Sequence, residues 1–263
     1  MFEEKSFQAR PQQKAVRTQL SESDNPSMES ADEILREGEI TDCQPVPRGS
    51  NYVYLLTLKR NGENARAIYK PRQGEAPLWD FPEGTLYRRE RASYLVSQAL
   101  NWCLIPLTII REGPYGVGMM QWFVHTKQAT DYASLFENKI VEFKRIAAFD
   151  WLVNNADRKG GHCLEDVEGR LWLIDHGLTF HEVPKLRTVI WDFQGQPVPE
   201  ELLADLESLC PHLAETGALT QVLSELISPG EIRALRERLA WILKRPVFPD
   251  SFGSHRRTPW PPF

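Results

Sequence analysis

The sequence has little of what would tie it to several large classes of protein. Its four cysteines, Cys43, Cys103, Cys163 and Cys210, form no C-x-x-C pair and are widely separated. That spacing argues against a structural zinc site and against a disulfide framework, and for reduced thiols in the cytoplasm. No basic excess is present: 31 Lys and Arg stand against 36 Asp and Glu, a formal net charge of -5. A sequence-independent grip on a phosphate backbone needs the opposite balance, so no nucleic-acid partner is expected. Long hydrophobic runs are also missing. The longest uncharged, apolar-leaning stretch, Leu95 to Ile110, is interrupted by Ser97, Gln98, Asn101 and Pro106. It is too short for a transmembrane span. The opening MFEEKSFQARPQQK lacks the apolar core of a secretory signal, so none is expected.

What is present fits an ordinary folded chain. Apolar residues make up 41% and charged residues 25% of 263 residues, enough for a real core in one large unit or two small ones. A monomer is the expectation. Residues 1–27 are polar and read as a flexible tail. Ser30 to Ile40 reads as a short helix in which Ser30 and Glu33 fit a capping box. Asn51–Lys59 and Ala65–Lys70 are rich in β-formers and flank Asn61-Gly62, a hairpin signal. Gly84–Leu100 reads as a helix with Ala92, Leu95, Val96 and Ala99 on one face, and Ile105–Arg111 and Gly118–Val124 as two more strands. From Asp131 the pattern is helical: Ile140–Asn154, then a short hairpin (Cys163–Asp166, Leu171–Ile174), then Pro199–Leu209 and Pro229–Leu243. Residues 246–263 hold five prolines and read as a tail or strap. The fold class is therefore α+β: a β-rich lobe over 28–125 with one key helix, and a mostly helical lobe over 126–245.

Polar residues gather at the edges of these elements. Gly49, Ser50 and Asn51 form a turn before the first strand. Lys70 ends the second strand, and Glu90 follows within the next helix. Asp157 lies in the loop after a later helix, and Asp175 opens an Asp-x-Gly at the end of the short hairpin that follows. Each alone reads as a turn, a solvated lysine, a surface glutamate or a local ion pair. The ordered set is the parts list for ATP-dependent phosphoryl transfer, in which positioning and charge neutralisation do most of the work. In that chemistry a strand lysine holds α/β-phosphate oxygens, a helical glutamate orients it, and one aspartate receives the proton of the attacking hydroxyl. The other aspartate binds Mg²⁺, a hard, oxygen-seeking cation.

The segments AIYKPRQGE, LWDFPEGTLYRRE, NNADRKGGH, LIDHGLTFH and KLRTVIWDF resemble a largely actinobacterial, SCO-type family with a phosphatidylinositol-kinase-like domain. More broadly, residues 48–193 resemble the phosphatidylinositol 3-/4-kinase-like superfamily, including type II lipid kinases and HipA-like bacterial kinases. The resemblance implies a small bilobal protein-kinase-like fold, ATP with Mg²⁺ or Mn²⁺, and an unknown hydroxyl acceptor: a protein Ser/Thr, a small metabolite or an inositol lipid. It implies that Asp157 is the catalytic-loop aspartate, Asp175 the metal ligand, Lys70 the ATP-binding lysine and Glu90 its partner. By the same resemblance Gly49, Ser50 and Asn51 form the phosphate loop, and Gln121 and Phe123 belong to the strand leading to an adenine-binding hinge. His162 stands where the family has a metal-binding asparagine. Three roles are open to it: orienting the loop, binding Mn²⁺ or Zn²⁺, or none, with Asp175 and water sufficing. That departure and the single glycine of the phosphate loop keep a nucleotide-binding pseudokinase, or nucleotidyl transfer, as alternatives. Arg88, Arg89 and Arg91 read as an exposed helix face, and Trp79, Trp151, Trp172 and Trp191 as packing residues. His176 has no expected role. His181, Lys185 and Arg187 read as a solvated loop or, less favoured, as contacts to an anionic substrate.

Overall fold

The computed structural model describes residues 28–47, 51–126, 132–250 and 257–262. The expected tail over 1–27 lies outside them. The first lobe holds α1 (Met28–Glu37), β1 (Glu39–Pro45), β2 (Tyr54–Arg60), β3 (Glu63–Pro71), α2 (Leu86–Ala99), β4 (Thr108–Gly113) and β5 (Gly116–Trp122). The five strands form one antiparallel sheet in the order β1-β2-β3-β5-β4. Asn61 and Gly62 both have positive φ, 52° and 88°, as a two-residue turn between right-twisted strands requires. Edge strand β1 carried no sequence signal, because EITDCQP is mostly exposed and has no apolar alternation. The Ser30–Glu33 capping box is not formed. The helix starts at Met28, so Ser30 lies inside it, bonded to Glu63 (3.3 Å), and Glu33 pairs with Arg60.

Strand alternation divides the work of the sheet. Leu56, Leu58, Ala67 and Tyr69 point outward and pack with Ile109 and Met120 against Ile34 and Leu35 of α1. Lys70, next after Tyr69, is thereby turned to the opposite face. The Tyr69 ring lies over Gly113 and Gly118, and a Cβ on Gly118 would collide with the Lys70 carbonyl and with Pro71.

The second lobe comprises α3 (Tyr132–Asn138), α4 (Ile140–Val153), the hairpin β6 (Cys163–Glu165) and β7 (Leu171–Leu173), α5 (Glu200–Ser208), α6 (Ala218–Leu223) and α7 (Pro229–Lys244). Its core joins Phe143, Ile146, Phe149 and Leu152 of α4 to Leu206, Leu235 and Leu239 of α5 and α7. Ala92, Tyr94, Val96 and Leu100 belong to this same core, so α2 lies between β3 and β4 in sequence yet buries one side in the helical lobe. The described parts of the proline-rich end, 246–250 and 257–262, are bonded to the second lobe. Val198 N donates to Pro246 O (2.8 Å), Phe248 packs on Phe193, and Gly160 N donates to Pro262 O (2.9 Å). Among the described residues no helix is long and apolar enough to cross a membrane.

Gly118→Ala should destabilise the fold by about 2–3 kcal/mol, because the neighbour that must yield is backbone. Urea unfolding measures it; an unchanged midpoint would show that the strand shifts freely.

Candidate active site

The site is assembled on a loop that a buried ion pair holds in shape. Asn154 ends α4 in the left-handed region (φ 54°) and turns the chain back. Asn155 bonds through its side chain to Asp150 Oδ1 (2.9 Å), and its own Oδ1 receives Asp157 N (3.0 Å). Arg158 then re-enters the core. Its Nε and Nη2 donate to the two oxygens of Asp150 (2.8 and 2.9 Å), Nη1 to Ile174 O (3.1 Å), and Nη2 to His176 Nε2 (2.7 Å). Both members of the ion pair are fully buried. Because a guanidinium can only donate, His176 Nε2 accepts and the ring carries its proton on Nδ1. Burial holds this imidazole neutral, well below the ordinary histidine value.

Lys70 faces this loop from β3. Its Nζ lies 2.6 Å from Glu90 Oε1 and 2.7 Å from Asp175 Oδ1, so one ammonium joins sheet, α2 and the Asp-His-Gly segment. Glu90 is 1% exposed, and its Oε2 receives His176 N (2.8 Å). Asp175 sits just past β7 with φ 65°, a left-handed conformation uncommon outside glycine. His162 Nε2 lies 3.3 Å from Asp175 Oδ2, and Lys159 N donates to its Nδ1 (3.4 Å). Both imidazole nitrogens are thus engaged, Nε2 as donor. Burial pulls this ring down to about 4, so it is neutral.

The charges of the site are displaced in opposite senses. Burial opposes the Lys70 ammonium, but Asp175 and Glu90 outweigh it and hold Lys70 above the ordinary lysine value. Lys70, with His162, holds the Asp175 carboxyl well below the usual carboxylate range. Burial pushes the Asp157 carboxyl up, against the pull of Lys159 at 3.1 Å. Two carboxylates in one cleft, one held ionised and the other made more basic, are suited to different tasks.

Lys70, Glu90, Asp157, Asp175 and Asn51 all line a single cleft of about 200 Å³. Asn51 accepts from Ala76 N (2.8 Å) and ties the approach to β2 to the β3–α2 loop. Gly49 and Ser50 lie outside the described residues. Gln121 and Phe123 do not line this cleft. Gln121, paired with Ile68, shares the sheet face of Lys70, but it is buried and donates to Thr108 Oγ1 (2.9 Å). The Phe123 amide is bonded to Arg66 O (3.1 Å).

Four residues of the site escaped sequence reading. Lys159 lines the cleft, and its place just past Asp157 was a usable signal. Glu75 lines it too and accepts from Leu86 N (3.1 Å) and Tyr87 N (2.8 Å), capping α2 from well upstream in the chain. Asp150 and Arg158 pair across a chain reversal that nothing local announces. The arginines around Glu90 are not an exposed face: Arg89 is 1% exposed, and Arg91 donates to the Thr108 carbonyl. Among the tryptophans, Trp151 is buried, but Trp79 is 91% exposed and does no packing in the core. Lys185 is held by Asp80 (2.7 Å) and is not a free loop cation.

No family model matches the chain. The sequence is 38% identical over 265 residues to Protein Rv2133c of Mycobacterium tuberculosis (strain ATCC 25618 / H37Rv), covering 88% of this chain and 94% of that protein. The chain belongs to the family of Rv2133c. Among solved structures it is similar, at a TM-score of 0.48 and 14% identity, to the Helicobacter pylori proinflammatory kinase CtkA, over 79% of this chain and 94% of that one.

Among the described residues no group of three or more His, Cys, Asp or Glu side chains could hold a metal by itself. Mg²⁺ needs less, because it binds through one or two carboxylates together with phosphate and water. The Asp175 carboxylate, 45% exposed at the cleft, fits that demand.

Arg158→Met should cost about 3–5 kcal/mol by leaving Asp150 buried without its cation. The Asp150→Leu/Arg158→Met pair should recover much of that loss; a denaturant double-mutant cycle that shows no coupling would contradict the central place given to the pair.

Proposed function

We propose that this protein is an ATP-dependent phosphotransferase of the phosphatidylinositol 3-/4-kinase-like kind, acting in the cytoplasm on a hydroxyl acceptor. The observation that carries the reading is the Lys70 bridge to Glu90 and Asp175 across two lobes, with Asp157 oppositely perturbed in the same cleft. Lys70, held by Glu90, would contact the α/β-phosphates. Asp175, kept ionised, would hold Mg²⁺, which would supply charge neutralisation at the phosphates. His162 holds Asp175 by its Nε2–H and is a positioning residue rather than a ligand.

In the transfer step the acceptor oxygen bonds to Pγ as the bond from Pγ to the β–γ bridging oxygen breaks. The hydroxyl proton passes to Asp157 and ADP departs. A carboxylate made more basic by burial is the better acceptor for that proton. Lys159 stands beside it as a cation for the transferring group. The acceptor is a protein hydroxyl, a small metabolite or an inositol lipid. A nucleotide-binding protein without turnover is the second reading, favoured by an imidazole with both nitrogens used where the superfamily has an asparagine.

Asp175→Ala should abolish Mg²⁺-dependent ADP release while the protein stays folded; turnover that persists in this variant contradicts the assignment. ATP-dependent thermal stabilisation without any turnover in the native protein would select the second reading. In Asp157→Asn the rate should fall about 10²–10⁴-fold. Asp157 must be ionised to accept a proton, so the acid limb of the native rate profile should lie above the ordinary aspartate value. A limb at or below that value would remove Asp157 from the role.

A further inference from the structure

Arg89 immediately precedes the Lys70 partner Glu90 in α2 and points into the second lobe. Its Nη1 donates to Thr179 O (2.6 Å), its Nη2 pairs with Glu231 Oε1 at 2.5 Å, its Nε reaches Thr85 Oγ1 (3.4 Å), and its guanidinium lies 5.0 Å from the centre of the Phe81 ring. The side chains of the ion pair are 1% and 8% exposed. Glu231 belongs to the first turn of α7, where its other oxygen receives Ser228 N (2.8 Å) in a capping box. The start of α7 is therefore fastened directly to α2. Ser93 Oγ, one turn after Arg89, meets Thr179 Oγ1 at 3.2 Å, and Glu90 itself receives His176 N. Ala92, Tyr94, Val96 and Leu100 bury their side chains in the core of the second lobe, while Arg91 donates to Thr108 O of β4, so α2 is held from both sides.

We propose that Arg89 and Glu231 are positioning residues: by fastening the first half of α2 to the start of α7 they fix Glu90 where Lys70 meets it. The catalytic consequence rests on the phosphotransferase reading; the mechanical one does not. The unpaired charge left by a single substitution is the costly state, whereas replacing both charges by apolar side chains preserves burial.

The test is Arg89→Met/Glu231→Met, with Glu231→Gln as a milder variant that can still bond the Ser228 amide. Amide hydrogen exchange follows α2 and α4, and steady-state ADP release is measured on the same samples. In the native protein α2 should exchange as slowly as α4. In the double variant, at an unchanged melting temperature, exchange in the first half of α2 should rise while α4 stays protected. There kcat should fall about tenfold to a hundredfold with KM for ATP changed less than about threefold, as expected for lost positioning. Arg89→Lys, which keeps the charge opposite Glu231, should recover part of kcat. Native exchange and native kcat in the double variant would overturn the proposal. If the double variant does not fold, Glu231→Gln is read by the same two criteria. If the native protein and Lys70→Met alike release no ADP, the phosphotransferase reading fails. The exchange rates then decide the clamp alone: a loosened α2 upholds it and an unchanged one overturns it.

Discussion

The pair of Arg158 with Asp150 is the constraint on which the rest of the site depends. Two full charges are buried without solvent, a state tolerated only when every donor and acceptor is spoken for. Here they are: Asp150 accepts from Arg158 and Asn155, and Arg158 also reaches Ile174 O, His162 O and His176. Each of these bonds fixes a different part. Asn155 sets the Asp157 amide, Ile174 precedes Asp175, and His176 places its own amide on Glu90. One guanidinium thereby sets the relative placement of Asp157, Asp175 and Glu90.

The remaining geometry follows from which core each element joins. The sheet and α1 close their own small core, which turns Tyr69 outward and Lys70 inward by simple alternation. Helix α2 joins the larger core and carries Glu90 with it. The cleft is the seam between these two bodies, crossed by the Lys70 bridge. Glu75, at the N-terminus of α2, supplies the negative charge that a helix start favours and fixes the loop that reaches across the seam. Asp80 and Phe81 of that loop meet Lys185 and His181 of the second lobe.

Much of this was legible in the sequence where the signal was local. The Asn-Gly hairpin, the strands around Lys70, the Glu90 helix and α4 follow from turn chemistry and apolar period, and they put Lys70, Glu90, Asp157 and Asp175 at or near element ends. The α+β division into a sheet lobe and a helical lobe was legible for the same reason. What escaped depends on long-range pairing. Edge strand β1 has no apolar face to betray it. Arg89 looked exposed because a charged residue on a helix usually is, and only its partner on α7, in the last helix of the chain, explains its burial. Arg158 reads as the neighbour of Asp157, but its charge serves Asp150. The strap toward the end of the chain has no periodicity because its bonds run to other segments, such as Gly160.

The central claim is that one cleft holds nucleotide phosphates, metal and proton acceptor, with Lys70 exchanging Asp175 for phosphate. A crystal structure with a non-hydrolysable ATP analogue and Mg²⁺ tests it most directly. The account predicts Mg²⁺ on Asp175, Lys70 still on Glu90 but moved from Asp175 to phosphate oxygens, the γ-phosphate facing Asp157, and His162 off the metal. Nucleotide bound outside this cleft, or a metal held by His162 with Lys70 still on Asp175, would contradict it.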